Sequence, residues 1–181
     1  MIRAYVITED QSDVDILKKF LPDKLVEDTQ FVAASSQYNA QSLATTILAV
    51  KTKPVALVLN ANTDNESLIE EKSDLLYQLL HQSSPGIPFQ VLIAVPELEA
   101  IFFQDKHLIE KLVKRSLNNV EWQLAKSHPK EFLIKSLDNN LQYLEIIFNN
   151  ISADEILTLE QHSIINQMAS FLSSVYLQLI T

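Results

Sequence analysis

Residues 54–65 read Pro-Val-Ala-Leu-Val-Leu-Asn-Ala-Asn-Thr-Asp-Asn, an apolar run from Val55 to Leu59 followed at once by amides, a threonine and an aspartate. The run is too short for a helix, and Pro54 marks its start, so it reads as a strand. It does not alternate apolar with polar, which means that both of its faces are covered. That is the pattern of a parallel sheet buried under helices.

Working outward, the same rhythm recurs. Ile2 to Thr8 is a β-prone apolar run, and Ser12 to Leu21 places Val14, Ile16, Leu17, Phe20 and Leu21 at helical spacing, with Ser12 as the expected N-cap and Pro22 as the stop. Thr29 to Ala34 reads as a second strand, and Ser36 to Val50 as a helix with Leu43, Ala44, Ile47 and Leu48 on one stripe. After the quoted strand, a helix over 65–81 aligns Leu68, Leu75, Leu76, Leu79 and Leu80; the turn Ser83-Ser84-Pro85-Gly86 breaks it, and Phe89 to Val95 is the fourth strand. From Pro96 onward the spacing is helical, with Leu141, Leu144, Ile147 and Phe148 forming one stripe. Ile164, Ile165, Met168, Phe171, Leu172, Val175 and Tyr176 form another in a long terminal helix. The expected architecture is α/β: a mainly parallel four-stranded sheet covered by helices on both faces. Residues 1–105 form the α/β core of a single domain spanning 1–181, and 106–181 form a helical extension packed on it.

Composition narrows the chemistry. With no cysteine there is no disulfide framework, thiolate zinc site or thiol nucleophile, and with one glycine, Gly86, neither a P-loop nor a dinucleotide-binding glycine fingerprint can be written. The four histidines show no metal-ligand spacing, and the serines lie in no nucleophile elbow. No apolar run approaches the length of a membrane span, and Glu9 and Asp10 stand where a signal peptide would be apolar, so a cytoplasmic protein without membrane contact is expected. The formal net charge is -9. Yet residues 106–135 carry 7 basic groups against 3 acidic ones. Lys106, Lys111, Lys114, Arg115, Lys126, Lys130 and Lys135 read either as a solvated helical surface or as a patch that contacts phosphate.

In open parallel α/β sheets ligands bind beyond the carboxyl ends of the strands. Three such ends are polar and acidic here: Glu9-Asp10-Gln11-Ser12-Asp13, Asn60-Ala61-Asn62-Thr63-Asp64 and Pro96-Glu97-Leu98-Glu99. Such residues cap helices, and gathered together they would also suit a magnesium ion, which prefers oxygen ligands. Glu97 and Glu99, two apart, would point to different sides of a helix, leaving at most one in the cleft; Glu97, nearer the strand end, is the expected one.

The order of these motifs resembles the Toprim-like proteins, in particular a small stand-alone bacterial Toprim-related family distantly related to the nuclease half of OLD-type proteins. That family reads E-G-x-x-D after the first strand, D-x-D-x-D after the third and P-E-x-E-A-W after the fourth. Here the corresponding stretches are Glu9 to Asp13, Asn60 to Asp64 and Pro96 to Ile101, with an echo of the family's D-P-K-E in His128-Pro129-Lys130-Glu131. The resemblance implies a Toprim-like fold over 1–105, Glu9 as catalytic acid/base, and Asn60, Asn62, Asp64 and Glu97 around magnesium, with Asp13 and Glu99 as further candidates. It also shows decay: Asn60 and Asn62 stand where the family has aspartates, and an amide ligates a cation without neutralising it. The expected function is a degenerate, non-catalytic Toprim-like module that binds another macromolecule, with magnesium weak or absent. The alternative is a magnesium-dependent nuclease or phosphotransfer enzyme whose basic stretch meets nucleic acid. A receiver-type domain is disfavoured by Asn60 at the position of its phosphorylatable aspartate.

Overall fold

The computed structural model describes residues 2–137 and 142–178. Four strands, β1 (Ala4–Thr8), β2 (Thr29–Ala33), β3 (Val55–Asn60) and β4 (Phe89–Ala94), form one sheet in the order β2-β1-β3-β4. Every neighbouring pair is parallel. The intervening helices are α1 (Gln11–Phe20), α2 (Asp23–Glu27), α3 (Gln37–Thr46) and α4 (Glu66–Ser83). After β4 the Val95–Pro96 peptide is cis, and a 3-10 segment, Leu98–Gln104, leads into α5 (Lys106–Val113), α6 (Asn119–Ser127) and α7 (Pro129–Ser136). Then come α8 (Tyr143–Asn150), α9 (Ala153–Glu160) and α10 (Ser163–Gln178).

Because successive side chains of a strand point to opposite faces, residue parity sorts the core into two. Ala4, Val6, Ala56, Val58, Leu92 and Ala94 face α1 and the helices after 105 in one continuous cluster. Tyr5, Ile7, Val55, Leu57 and Leu59 face Ala40, Ala44, Ile47, Leu48, Leu76 and Leu80 on α3, the π-helical turn Ile47–Lys51 and α4. The terminal helix is tied back to the sheet by Tyr176, whose hydroxyl donates to the Leu25 carbonyl at 2.8 Å and lies 2.7 Å from Thr29 Oγ1.

Several local expectations need correction. Asp10, extended at φ -115° and ψ 161°, is the N-cap of α1, and Ser12 lies inside the helix. The helix expected over 36–50 is capped by Ser36, which accepts from Asn39 N at 3.1 Å, but gives way to π geometry at Ile47. On α4 only Leu76 and Leu80 of the five aligned leucines are buried, while Leu68, Leu75 and Leu79 face solvent, because a single sheet face covers only one side of the helix. Leu144 and Ile147 are buried as expected; Leu141 lies outside the described residues.

Candidate functional site

Parity also decides where the polar residues at the strand ends point. Thr8 and Asn60, even-numbered and buried, belong to the α1 side of the sheet. There Asp13, one turn into α1, is 1% exposed; its Oδ2 accepts from Asp10 N at 3.2 Å and lies 3.5 Å from Asn60 Nδ2. Asn60 Oδ1 accepts from Leu98 N at 2.9 Å, so the amide staples the end of β3 to the start of the 3-10 segment. Glu99 is fully buried, and Tyr143 of α8 donates to its Oε1 at 2.5 Å. Glu97 accepts from the backbone N–H of Lys130 at 3.0 Å.

Into this group of acids comes the Lys130 side chain, from the first turn of α7. Its ammonium donates to Asp10 Oδ2 at 2.6 Å and to Ser12 Oγ at 3.1 Å, and stands 4.0 Å from Glu99 Oε1. Burial pulls the proton affinity of Lys130 down, but the bond to Asp10 and the charges of Glu99, Asp10 and Asp13 outweigh it and the affinity rises. Asp13 is pushed up to about 7, by burial first and by the charge of Glu99 second. Glu97 is raised as well, chiefly by burial. Tyr143, buried against Glu99, keeps its proton more tightly than a free phenol.

Glu9 has a different cationic neighbour. It is the charge that raises the proton affinity of Lys72 on α4, although burial lowers that affinity overall. Lys72 donates to the Asn60 carbonyl at 2.6 Å and to Gln37 Oε1 at 2.8 Å, and Gln37 also donates to that carbonyl at 3.0 Å. Asn62, in the left-handed region at φ 57°, and Asp64 are exposed. They line a third environment, a cavity with Pro96, Gln123, Lys126 and His128.

The structure therefore brings together Asp13, Asn60, Glu97 and Glu99, and assigns Asn62 and Asp64 to another cavity. Both Glu97 and Glu99 meet groups of the cleft, contrary to the expectation that only Glu97 would. Glu97 is an extended cap at φ -141° rather than a helical residue, so the helical spacing rule does not apply to the pair. Sequence reasoning missed Lys130, Ser12, Tyr143 and Lys72 as members of these clusters. The His128-Pro129-Lys130-Glu131 echo was the available signal for Lys130.

The donors do not fit a magnesium ion held as the sequence resemblance implies. Asn60 offers only a neutral oxygen that already accepts from Leu98 N–H, Asn62 and Asp64 line a different cavity, and an ammonium already stands among Asp10, Ser12 and Glu99. Among the described residues no three His, Cys, Asp or Glu side chains are gathered so as to hold a metal. Three carboxylate oxygens, Glu9 Oε2, Asp13 Oδ1 and Glu99 Oε2, are nevertheless buried without a hydrogen-bond partner.

The basic stretch is answered largely from within the fold. Lys106 pairs with Glu110 at 3.6 Å, Lys111 with Glu155 at 2.7 Å, Arg115 with Glu121 at 2.8 Å, and Lys135 with Glu131. Lys126 lies 5.9 Å from the Trp122 ring centre, and Lys114 caps α5 in the left-handed region. No helix among the described residues is long and apolar enough to cross a membrane.

No protein-family model matches the sequence, and no curated protein does. Solved structures do. The C-terminal region of the OLD protein of Xanthomonas campestris pv. campestris, phased with iodine, aligns over 100% of this chain and 99% of its own, at 10% identity and a TM-score of 0.57. The same region phased with mercury covers 98% of each chain at 10% identity with a TM-score of 0.48. The C-terminal region of the Burkholderia pseudomallei OLD protein covers 97% of this chain and 99% of its own at 12% identity with a TM-score of 0.47. The first likeness concerns the fold alone: the chain has an α/β fold similar, through its helical C-terminal part, to that OLD region.

Proposed function

We propose that the chain is a degenerate, stand-alone Toprim-like protein, non-catalytic and cytoplasmic, that works by binding another macromolecule. The state of Asn60 carries this reading. At the position where the family resemblance has a metal-binding aspartate, the side chain is an uncharged staple whose acceptor is taken by Leu98 N–H. A divalent cation entering there would have to share that oxygen with Leu98 N–H and would meet a neutral ligand, with Lys130 repelling it from Asp10 and Glu99. The residue that would have drawn in the metal holds the end of β3 to the start of the 3-10 segment.

A second reading, a magnesium-dependent nuclease or phosphotransfer enzyme, draws on the three partnerless carboxylate oxygens, since buried charge without a partner is costly and invites a cation. Calorimetric titration of the protein with magnesium and with manganese separates the two. The non-catalytic reading expects no saturable binding up to about 1 mM, well above the range in which calcium sensors bind their ion. Micromolar binding that is lost in both Glu9→Gln and Asp13→Asn would overturn it and make nuclease assays the next step.

A further inference from the structure

β4 is an edge strand of the sheet. In a parallel pair, alternate residues direct their N–H and C=O groups to the same neighbour. The bonds Val55 N to the Pro88 carbonyl and Ala61 N to the Ala94 carbonyl fix that parity: Gln90, Leu92 and Ala94 face β3. Val91, Ile93 and Val95 therefore turn their backbone groups outward. Among the described residues, the one hydrogen bond to these groups is a 3.4 Å contact from the Gln90 side chain to the Val91 carbonyl.

The open edge is the floor of a groove of about 500 Å³ that runs from Val91 to Val95 between two walls. Ile69, Glu70 and Ser73 of α4 form one wall, and His162, just before α10, with Ile164 and Gln167 of that helix form the other. Val91 and Ile93 are half-buried and Val95 is 44% exposed, so apolar surface accompanies the unpaired backbone. Acids stand at the rim: Glu70 is exposed, and Glu97 is half-buried. His162 is held below its ordinary proton affinity by burial, so it adds no positive charge near neutral pH.

We propose that this groove binds an extended, basic-ended peptide segment of a partner protein, which pairs with β4 as a fifth strand. The occupant follows from the groove's chemistry. Outward N–H and C=O groups at every second residue are matched by another strand, whereas a helix has already satisfied its own. Val91 to Val95 spans about 13 Å, enough for about five residues of extended chain. The occupant's side chains would alternate between the Ile69 and Ser73 wall and the Ile164 wall, which calls for apolar or small residues at its centre. Glu70 and Glu97 call for arginine or lysine at its ends. A second copy of this acidic chain suits the rim poorly. The strand pairing on β4 and the contact with Glu70 do not depend on the state of the metal site and survive if that reading fails.

The probe is the labelled peptide acetyl-Arg-Val-Thr-Val-Arg-amide, read by fluorescence anisotropy, with two analogues N-methylated either at both valines or at the central threonine. Saturable binding is expected, with one analogue weakened about tenfold or more and the other changed little, because only alternate amides face β4. Equal behaviour of the two analogues, or no binding at millimolar peptide, would overturn the proposal. Ser73→Trp, which fills the groove from α4, should reduce binding at least about tenfold with an unchanged circular dichroism spectrum. Should that variant not fold, Glu70→Lys replaces it and should weaken the basic peptide severalfold; unaltered affinity would count against the site. Hydrogen exchange gives a further readout: in the free protein the Val91, Ile93 and Val95 amides should exchange faster than those of Leu92 and Ala94, and the peptide should slow them. Equal protection in the free protein would mean that the edge is already covered, and would also overturn the proposal.

Discussion

Asp13→Asn should stabilise this protein at alkaline pH and leave it nearly unchanged in acid. The carboxyl is 1% exposed and is raised from 3.8 to about 7, by burial first and then by Glu99. A carboxyl whose folded pKa lies above its unfolded value binds its proton more tightly in the folded state. Its contribution is fully present below pH 4, is lost as the pH climbs from about 4 to about 7, and is flat above that. About three pK units at 1.36 kcal/mol each set a ceiling of about 4 kcal/mol on the cost of ionising this site. Glu99 shares in the same buried charge, so removing Asp13 alone should recover about 2 kcal/mol. Asparagine keeps the volume and an oxygen for Asp10 N–H, so the bond at the start of α1 survives. Urea denaturation at pH 8 and pH 4 measures this directly: a gain of about 2 kcal/mol at pH 8, or roughly 4–8 °C in Tm, against a change within about 0.5 kcal/mol at pH 4. Destabilisation at pH 8, or an equal effect at both pH values, would refute the reasoning.

Lys130→Met removes the cation from the Asp10 and Glu99 carboxylates while keeping the stem length. With Lys130 26% and Asp10 44% exposed, water screens part of the loss, leaving about 2 kcal/mol at pH 8 and less at pH 5, where Asp13, raised to about 7, is protonated and no longer adds its charge around the ammonium; denaturant melts at the two pH values check it. Tyr143→Phe deletes the donor to a fully buried Glu99 and should cost about 2–3 kcal/mol by urea titration, whereas a loss under about 0.5 kcal/mol would mean that the bond is not formed in solution. Phe102→Ala empties a fully buried ring site that packs edge-to-face on Phe20 at 6.0 Å, and a loss of about 3–5 kcal/mol is expected in the same assay.

The sheet and its order of elements were legible because a strand buried on both faces leaves an unbroken apolar run, and Val55 to Leu59 is such a run. Long helices packed along one side were equally legible: the seven residues of the expected stripe, Ile164, Ile165, Met168, Phe171, Leu172, Val175 and Tyr176, are all buried. Leu68, Leu75 and Leu79 misled because apolar character marks a helix face without saying what covers it. Ser12 was misplaced as a cap because a neighbouring aspartate could cap just as well, and the choice rests on a backbone angle at Asp10. The site was legible as a set of strand ends but not as a set of contacts. Nothing local in the sequence says that Lys130, 117 residues after Asp13, folds back into the acids while Lys72 serves the neighbourhood of Glu9.

The division of the acids follows from the period of a strand together with what the helices bring to each face. Glu9 and Asp10 are adjacent in sequence, yet Glu9 acts on Lys72 of α4 and Asp10 bonds Lys130 of α7. Asn60 bridges the two environments: its carbonyl accepts from Lys72 and Gln37, and its side chain holds Leu98 and faces Asp13. One lysine on each side thus supplies positive charge at the carboxyl end of the sheet, where the sequence resemblance implies a metal. Returning aspartate at Asn60 would add a third buried carboxylate beside Asp13 and Glu99 without removing either lysine. Charge at Asn60 is therefore insufficient on this argument, and a gain of metal affinity should require Asn60→Asp together with Lys130→Met, because the cation that must leave is covalently part of the chain.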